Sequence, residues 1–209
     1  NNHLPEIEEI AEQTTNGVRH TTGALTHRSV AEIAKRVGLT IVHTDDLPHS
    51  ARAVVDLEHG RIYIPPASIP GGHGLRSLAL QAMANTVLEH EAPADYADFL
   101  RQRLEASYFA AACLMPRAAS VDFLERAKRE RNIAIEDFRD TFGVTHEGAA
   151  LRFTNLATHY LGITLHYLRV NGDGTVVGAY ENDGLPLPQD ATGSTEGEVG
   201  CRHWSARKA

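Results

Sequence analysis

Residues 105–116 read EASYFAAACLMP. Between Glu105 and Pro116, every side chain except Ser107 is Ala, Tyr, Phe, Cys, Leu or Met. That density predicts the apolar half of a long helix, running from about Ala94 to Met115 and stopped by the proline. One carboxylate, Glu105, heads the apolar run. Whether the stretch is core alone or one wall of a site depends on what meets Glu105 across the next helix.

The segment before it, LRSLALQAMANTVLEHE (75–91), also reads as a helix, with Pro93 just beyond. Gln81 and Asn85 stand four residues apart and share a face. Two histidines at that spacing, with a glutamate after the first, would form the H-E-x-x-H zinc signature. Here the letters are Gln81, Ala82, Met83, Ala84 and Asn85. Carboxamides are weak zinc ligands beside imidazole, and Ala82 cannot act as a general base. On the helix pattern alone, the two amides read as a partly exposed surface.

Further out, Ser29 and Glu32 have capping-box spacing, with Val30, Ile33, Ala34 and Val37 on one face and Gly38 as a stop. LTIV (39–42) reads as a strand, and AVVDL (53–57) and RIYIP (61–65) read as a hairpin across EHG. IPGGHG (69–74) is a loop whose backbone N–H groups suit an anion at a helix start, although a flexible connection is the simpler reading. Past Pro116, Ser120 is predicted to cap a helix over 121–131. A short helix follows over 133–143, and Thr145 opens another that ends at Gly162. GITLHYLRV (162–170) and TVVGAY (175–180) are strands joined by NGDG. From Glu181 turn formers dominate, which marks a linker or extended arm. The expected class is α+β, mostly helical with a small, mainly antiparallel sheet. Residues 1–161 form one domain, and 162–209 begin a small β-containing unit.

The balance of 27 acidic against 20 basic residues gives a formal charge of −7, which disfavours phosphate neutralisation by the chain as a whole. Two segments imitate DNA-reading helices. In SVAEIAKRVGLT (29–40) the β-branched LTIV follows the glycine instead of a recognition helix. In DFRDTFGVTHEGAALRF (137–153) Arg152 is offset by Glu147. No apolar run is long enough to cross a bilayer, and the acidic, polar start is unlike a signal peptide. Cys113 and Cys201 cannot make a disulfide framework, so a cytoplasmic location is expected. No G-x-S-x-G or phosphate-binding loop motif is present. His90, His159 and His166 have no partner at ligand spacing.

Glu105, Ala106, Phe109, Ala110, Ala111, Leu114, Met115 and Pro116 resemble the second motif of the ImmA/IrrE-type metallopeptidase-like family, EANxFAAxLLMP, with Ser107 in place of its Asn. In that family the Glu is the third metal ligand, after the two His of H-E-x-x-H. The resemblance therefore makes Glu105 a remnant ligand position. It implies a degenerate, zincin-like domain with Gln81 and Asn85 at the two His positions and Ala82 at the catalytic Glu. A narrower resemblance spans roughly 25–204. FGVTHEGAALRFTNL (142–156), VNGDGTVVGAY (170–180) and GCRHW (200–204) look like the short-chain fatty-acyl transcriptional regulators of actinobacteria, the RamB and PrpR type. Those proteins join an N-terminal helix-turn-helix, an acyl-CoA-sensing degenerate peptidase-like region and a Cys-bearing domain. The resemblance implies a non-enzymatic sensor fragment, with DNA read by a helix-turn-helix outside this chain and a homo-oligomeric assembly. It also makes Cys201 a candidate ligand of an iron–sulfur cluster in the full-length protein; in this chain it reads as a lone thiol, since two cysteines cannot supply four thiolates.

The implied effector is coenzyme A or a short-chain acyl-CoA. Loss of two imidazoles and a base would convert a hydrolytic cleft into a binding cleft beside Gln81 and Asn85, lined by Tyr108, Phe109, Ala112 and Met115. Tyr108 is suited to stack on adenine or cover a thioester. Arg76 and Arg152 are the guanidinium candidates for phosphate, and Phe153 adds apolar surface. Two rival readings remain: a metallopeptidase using Glu105 with His90 or His73, and a DNA-binding or dimerisation module.

Overall fold

Strand β3 (Arg61–Ile64) is the centre of the first sheet because it has a partner on each edge. A computed structural model of the chain describes residues 3–18, 23–66, 74–180, 182, 184, 187 and 189–200. Within them β2 (Val54–Asp56) pairs antiparallel with β3, with Val55 opposite Ile62, as the hairpin reading expects. On the other edge β1 (Thr40–His43) pairs parallel to β3, Ile41 opposite Ile62. The parallel pairing follows from the path: the chain leaves β1, builds the far edge as β2, and turns back through the middle. Ile62 and Ile64 on β3 are fully or almost fully buried. The turn into β3 passes so close to the end of α2 that a Cβ on Gly60 would lie 2.8 Å from the Gly38 carbonyl oxygen. Gly60 also has φ of +62°, so two independent constraints require glycine there.

The chain divides into two compact units, Leu4–Ala149 and Asn1–His3 with Ala150–Ala209. The first holds α1 (Pro5–Thr15), α2 (His27–Arg36), the β1–β3 sheet, α3 (Leu75–Val87), α4 (Tyr96–Leu114), α5 (Arg117–Arg129) and α6 (Ile135–Phe142). Helix α7 (His146–Tyr160) crosses the division, which lies N-terminal to the 161/162 boundary drawn from composition. The fold is α+β with seven helices among the described residues.

Several local readings need correcting. Thr26, not Ser29, caps α2: its hydroxyl accepts from the Ser29 amide at 3.0 Å. Ser120 caps nothing. Helix α5 starts at Arg117 directly after Pro116, and Ser120 is fully buried with no hydrogen-bond partner for its hydroxyl. A proline just outside the first turn was the stronger start signal. Helix α3 stops at Val87 rather than running to 91. Glu89 takes the left-handed conformation, φ 54°, and the His90 amide bonds back to the Asn85 carbonyl at 2.9 Å. Helix α1, which the sequence reading did not assign, begins with Pro5 at its first turn and buries Ile7, Glu8, Ala11 and Thr15.

The second unit carries the hairpin β4 (Tyr167–Val170) and β5 (Val176–Tyr180). The stretch read as a linker returns to it. Thr175 bridges Val199, and the Val176 amide donates to Glu198. Its turn residues serve a local sheet edge rather than a free arm. In the same unit the His3 and His159 rings stack at 3.8 Å, and His3 Nε2 lies 3.1 Å from the Tyr160 hydroxyl.

A polar seam between α3 and α4 as the candidate functional site

Helices α3 and α4 lie against each other, with Ala79, Leu80 and Met83 of α3 and Phe109, Ala110 and Cys113 of α4 fully buried or nearly so. These residues form the apolar half of the contact. Toward the C-terminal end of α3 the contact turns polar. The left-handed turn at Glu89 folds the chain back, so His90 lies over the helix it has just left. Its Nδ1 is 3.1 Å from Asn85 Oδ1 and its Nε2 is 2.7 Å from Glu105 Oε2. The imidazole, only 6% exposed, thus spans from an α3 amide to an α4 carboxylate. A carboxylate oxygen only accepts, so His90 Nε2 is the donor in the bond to Glu105.

The seam continues along α4. Glu105 Oε1 accepts from Arg101 Nη1 at 2.7 Å, and Arg101 Nε donates to Asp98 at 3.1 Å. The other Asp98 oxygen accepts from the Ala94 amide at 3.1 Å and from Gln102 at 3.3 Å. The Ala94 amide, with Arg101 after it, holds the Asp98 carboxyl below the usual carboxylate range. The hydrogen bond to Glu105, followed by that to Asp98, raises the Arg101 guanidinium further.

Two of the three positions that the metallopeptidase resemblance singles out are brought together here. Asn85 and Glu105 are joined through His90. Gln81 turns instead to its own helix and donates to Ser77 Oγ at 3.0 Å. Both Glu105 oxygens have protein donors, and the other two positions offer carboxamides. This donor set does not fit zinc. Among the described residues no three His, Cys, Asp or Glu side chains gather to hold a metal. His73, the other ligand of the rival enzyme reading, lies outside the described residues, as do most of the IPGGHG loop and Cys201. Cys113 is fully buried in α4, and two cysteines do not fit a four-thiolate cluster in this chain.

His90 and His159 have partners that no helical ligand spacing marks, and the bridge from His90 to Glu105 runs between helices. Glu8 was missed altogether. It is 1% exposed and its Oε1 accepts from the Tyr108 hydroxyl at 2.6 Å. A signal was present: Glu8 shares a helix face with Ala11 and Thr15, an acid where α1 should be apolar.

The remaining predicted residues divide by burial. Tyr108 is half-buried, with its hydroxyl engaged by Glu8. Phe109 is wholly buried and is a core residue. Arg76, 7% exposed, donates through both terminal nitrogens to the carbonyls of Leu25 and Gly143. It therefore clamps the lead into α2 to the turn after α6. Gly143 has φ of +61°, and a Cβ there would lie 3.1 Å from the Arg76 guanidinium. Burial pushes the Arg76 pKa down. Arg152 and Phe153 lie on the part of α7 in the second unit. Arg152 is buried and reaches Asn155 Oδ1 at 3.4 Å, and Phe153 is half-buried. Their assignment as ligand contacts rests on the sequence alone.

No protein-family model and no curated protein sequence matches this chain. Among solved structures it is similar to a Mycobacterium tuberculosis transcriptional regulator, with a TM-score of 0.66 at 19% identity. The match covers 85% of this chain and 55% of that one, so the present chain spans about half the length of the regulator whose fold it shares.

Proposed function

We propose that this chain is the effector-sensing part of a bacterial transcriptional regulator, without enzymatic activity of its own. It binds coenzyme A or a short-chain acyl-CoA and passes that event to a DNA-binding domain outside the chain. The observation that carries the reading is the fold shared with a transcriptional regulator over 85% of these residues. The seam supports it from the chemical side. Amides and a hydrogen-bonded carboxylate stand where the metallopeptidase resemblance requires metal ligands, a donor set that does not fit zinc.

In this reading Tyr108 supplies the ring face for adenine or the thioester, and Gln81 and Asn85 supply amide donors and acceptors. Phe109 supports Tyr108 from within α4 as a core residue. Transmission is linkage: the effector prefers one of two arrangements and shifts the population toward it. The proposed assembly is a homo-oligomer, as the resemblance to the regulator family implies, with the closed symmetry common to such assemblies.

Calorimetric titration of the purified chain with coenzyme A and acetyl-coenzyme A tests the proposal, with native mass spectrometry of the unliganded preparation beside it. The expected result is saturable binding, weakened at least about tenfold, ~1.4 kcal/mol, by Tyr108→Ala. Absence of heat and of any retained small molecule would overturn the reading. Near-stoichiometric zinc in the preparation would revive the metallopeptidase.

A further inference from the structure

We propose that the exposed face of the N-terminal half of α4 docks a second copy of this chain, the two helices crossing antiparallel about a two-fold axis between Phe99 and Leu100. The inference rests on the homo-oligomer of the functional reading and supplies the surface that makes it. Tyr96, Phe99, Leu100 and Leu104 step along α4 by threes and fours and so form one stripe. Each is at least 40% exposed, and Tyr96 is 73% exposed. Single apolar residues scattered over a surface need no explanation, whereas a contiguous stripe marks an interaction face.

The charges select the partner. Arg101 is committed to Asp98 and Glu105 of its own helix. Arg103 forms no ion pair among the described residues and lies over the Phe99 ring, 5.6 Å from its centroid, inside the stripe. Asp95 stands about two turns earlier as the helix cap, accepting from the Asp98 amide at 2.8 Å. A helix with an acid at its start and an available cation further on is complementary to its own reversed copy. Crossing between Phe99 and Leu100 sets Phe99 against Leu100 of the second copy and Tyr96 near its Leu104. The same crossing brings Arg103 toward Asp95 of the second copy. A parallel pairing would instead oppose Arg103 to Arg103, a repulsion that selects against that orientation. The contact is isologous and closes at two copies. Four partly exposed side chains offer well under the ~800 Å² per partner of a standard interface, so the dimer is weak and dissociates on dilution.

Sedimentation velocity of the full chain over a concentration series tests this, with oxidative cross-linking in a Cys201→Ser background to read the orientation. The wild-type chain should shift from monomer to dimer as concentration rises. Leu100→Asp, which buries a charge against its own copy, should weaken dimerisation at least about tenfold. Leu100→Ala should weaken it less, and it serves if Leu100→Asp fails to fold. Leu100→Cys, close to the axis, should form a disulfide-linked dimer. Tyr96→Cys, separated from its own copy by the length of the crossing, should not. A dimer that forms equally well in both Leu100 variants would overturn the inference and leave the homo-oligomer reading standing. Equal cross-linking through Tyr96→Cys and Leu100→Cys would overturn the antiparallel docking. A chain that stays monomeric at every concentration would remove the inference and the homo-oligomer together, without touching effector binding.

Discussion

The two halves of α4 contain similar residues and put them to opposite uses. In the N-terminal half Tyr96, Phe99, Leu100 and Leu104 are exposed, Tyr96 by 73%, and the Arg103 guanidinium covers the Phe99 ring at 5.6 Å. In the C-terminal half Phe109, Ala110, Ala112, Cys113 and Leu114 are buried. The two halves meet at Glu105, where the polar seam ends and the apolar contact with α3 begins. Hydrophobicity alone therefore does not mark the core of this helix. Position relative to α3 and α1 does, because only the second half has neighbours to pack against on most of its faces.

The sharpest way to break the contrast is truncation on each side of Glu105. Phe109→Ala should lower unfolding stability by about 3–5 kcal/mol through lost transfer energy and a residual cavity. Leu100→Ala should change it by no more than about 0.5 kcal/mol, as at ordinary surface positions. Equal losses in urea denaturation would mean that the first half is covered in solution. Next in size is the seam itself. His90→Ala leaves the Glu105 carboxylate without one of its donors, and it should cost roughly 1–3 kcal/mol by the same measurement. His90→Gln should recover part of this if the bridge to Glu105, and not ring packing, is what matters. Thr26→Ala, remote from both halves, should cost about 1 kcal/mol as a lost helix cap. Ser29→Ala should cost less, since it keeps the backbone amide that donates to the cap and loses only the hydroxyl contacts to Thr26 and the Val18 carbonyl.

The smallest expected effect concerns pH. The Asp98 pKa is lowered in the folded chain, so its contribution is present above the unfolded-state value, about 3.9, and disappears as pH falls through the lower folded value. Between pH 5 and pH 2.5 the melting temperature of the wild-type chain should therefore fall somewhat more steeply than that of Asp98→Asn. Parallel curves would show that this end of the seam is electrostatically silent.

What could be read from the sequence followed the range of the interactions. The apolar run of α4, the β2–β3 hairpin and the α3–α4 succession are recorded in local periodicity, and each formed close to its predicted place. Through the metallopeptidase resemblance Gln81, Asn85 and Glu105 stood out as one set; the structure joins Asn85 and Glu105 through His90 and leaves Gln81 bonded within its own helix. His90 was legible only as a ligand candidate with Glu105; its bridge to Asn85 was not, because that depends on a left-handed turn at Glu89, a residue type that rarely adopts one. Glu8 was not, because its partner Tyr108 is a hundred residues away, and no local rule joins them. Arg76 illustrates the opposite error. A guanidinium beside a glycine-rich loop suggests phosphate, yet its terminal nitrogens are occupied by the carbonyls of Leu25 and Gly143. Unpaired carbonyls leave no trace in the side-chain sequence.

The placement of β3 between a sequence neighbour and an earlier strand also orders events during folding. Closing the β2–β3 ribbon needs only the short turn through Gly60, whereas seating β1 must gather a longer span of chain at greater entropic cost. The ribbon should therefore belong to the nucleus and β1 should dock late. On that basis Val55→Ala is expected to retard refolding, while Val42→Ala mainly hastens unfolding, and a stopped-flow chevron comparison of the two separates these limbs.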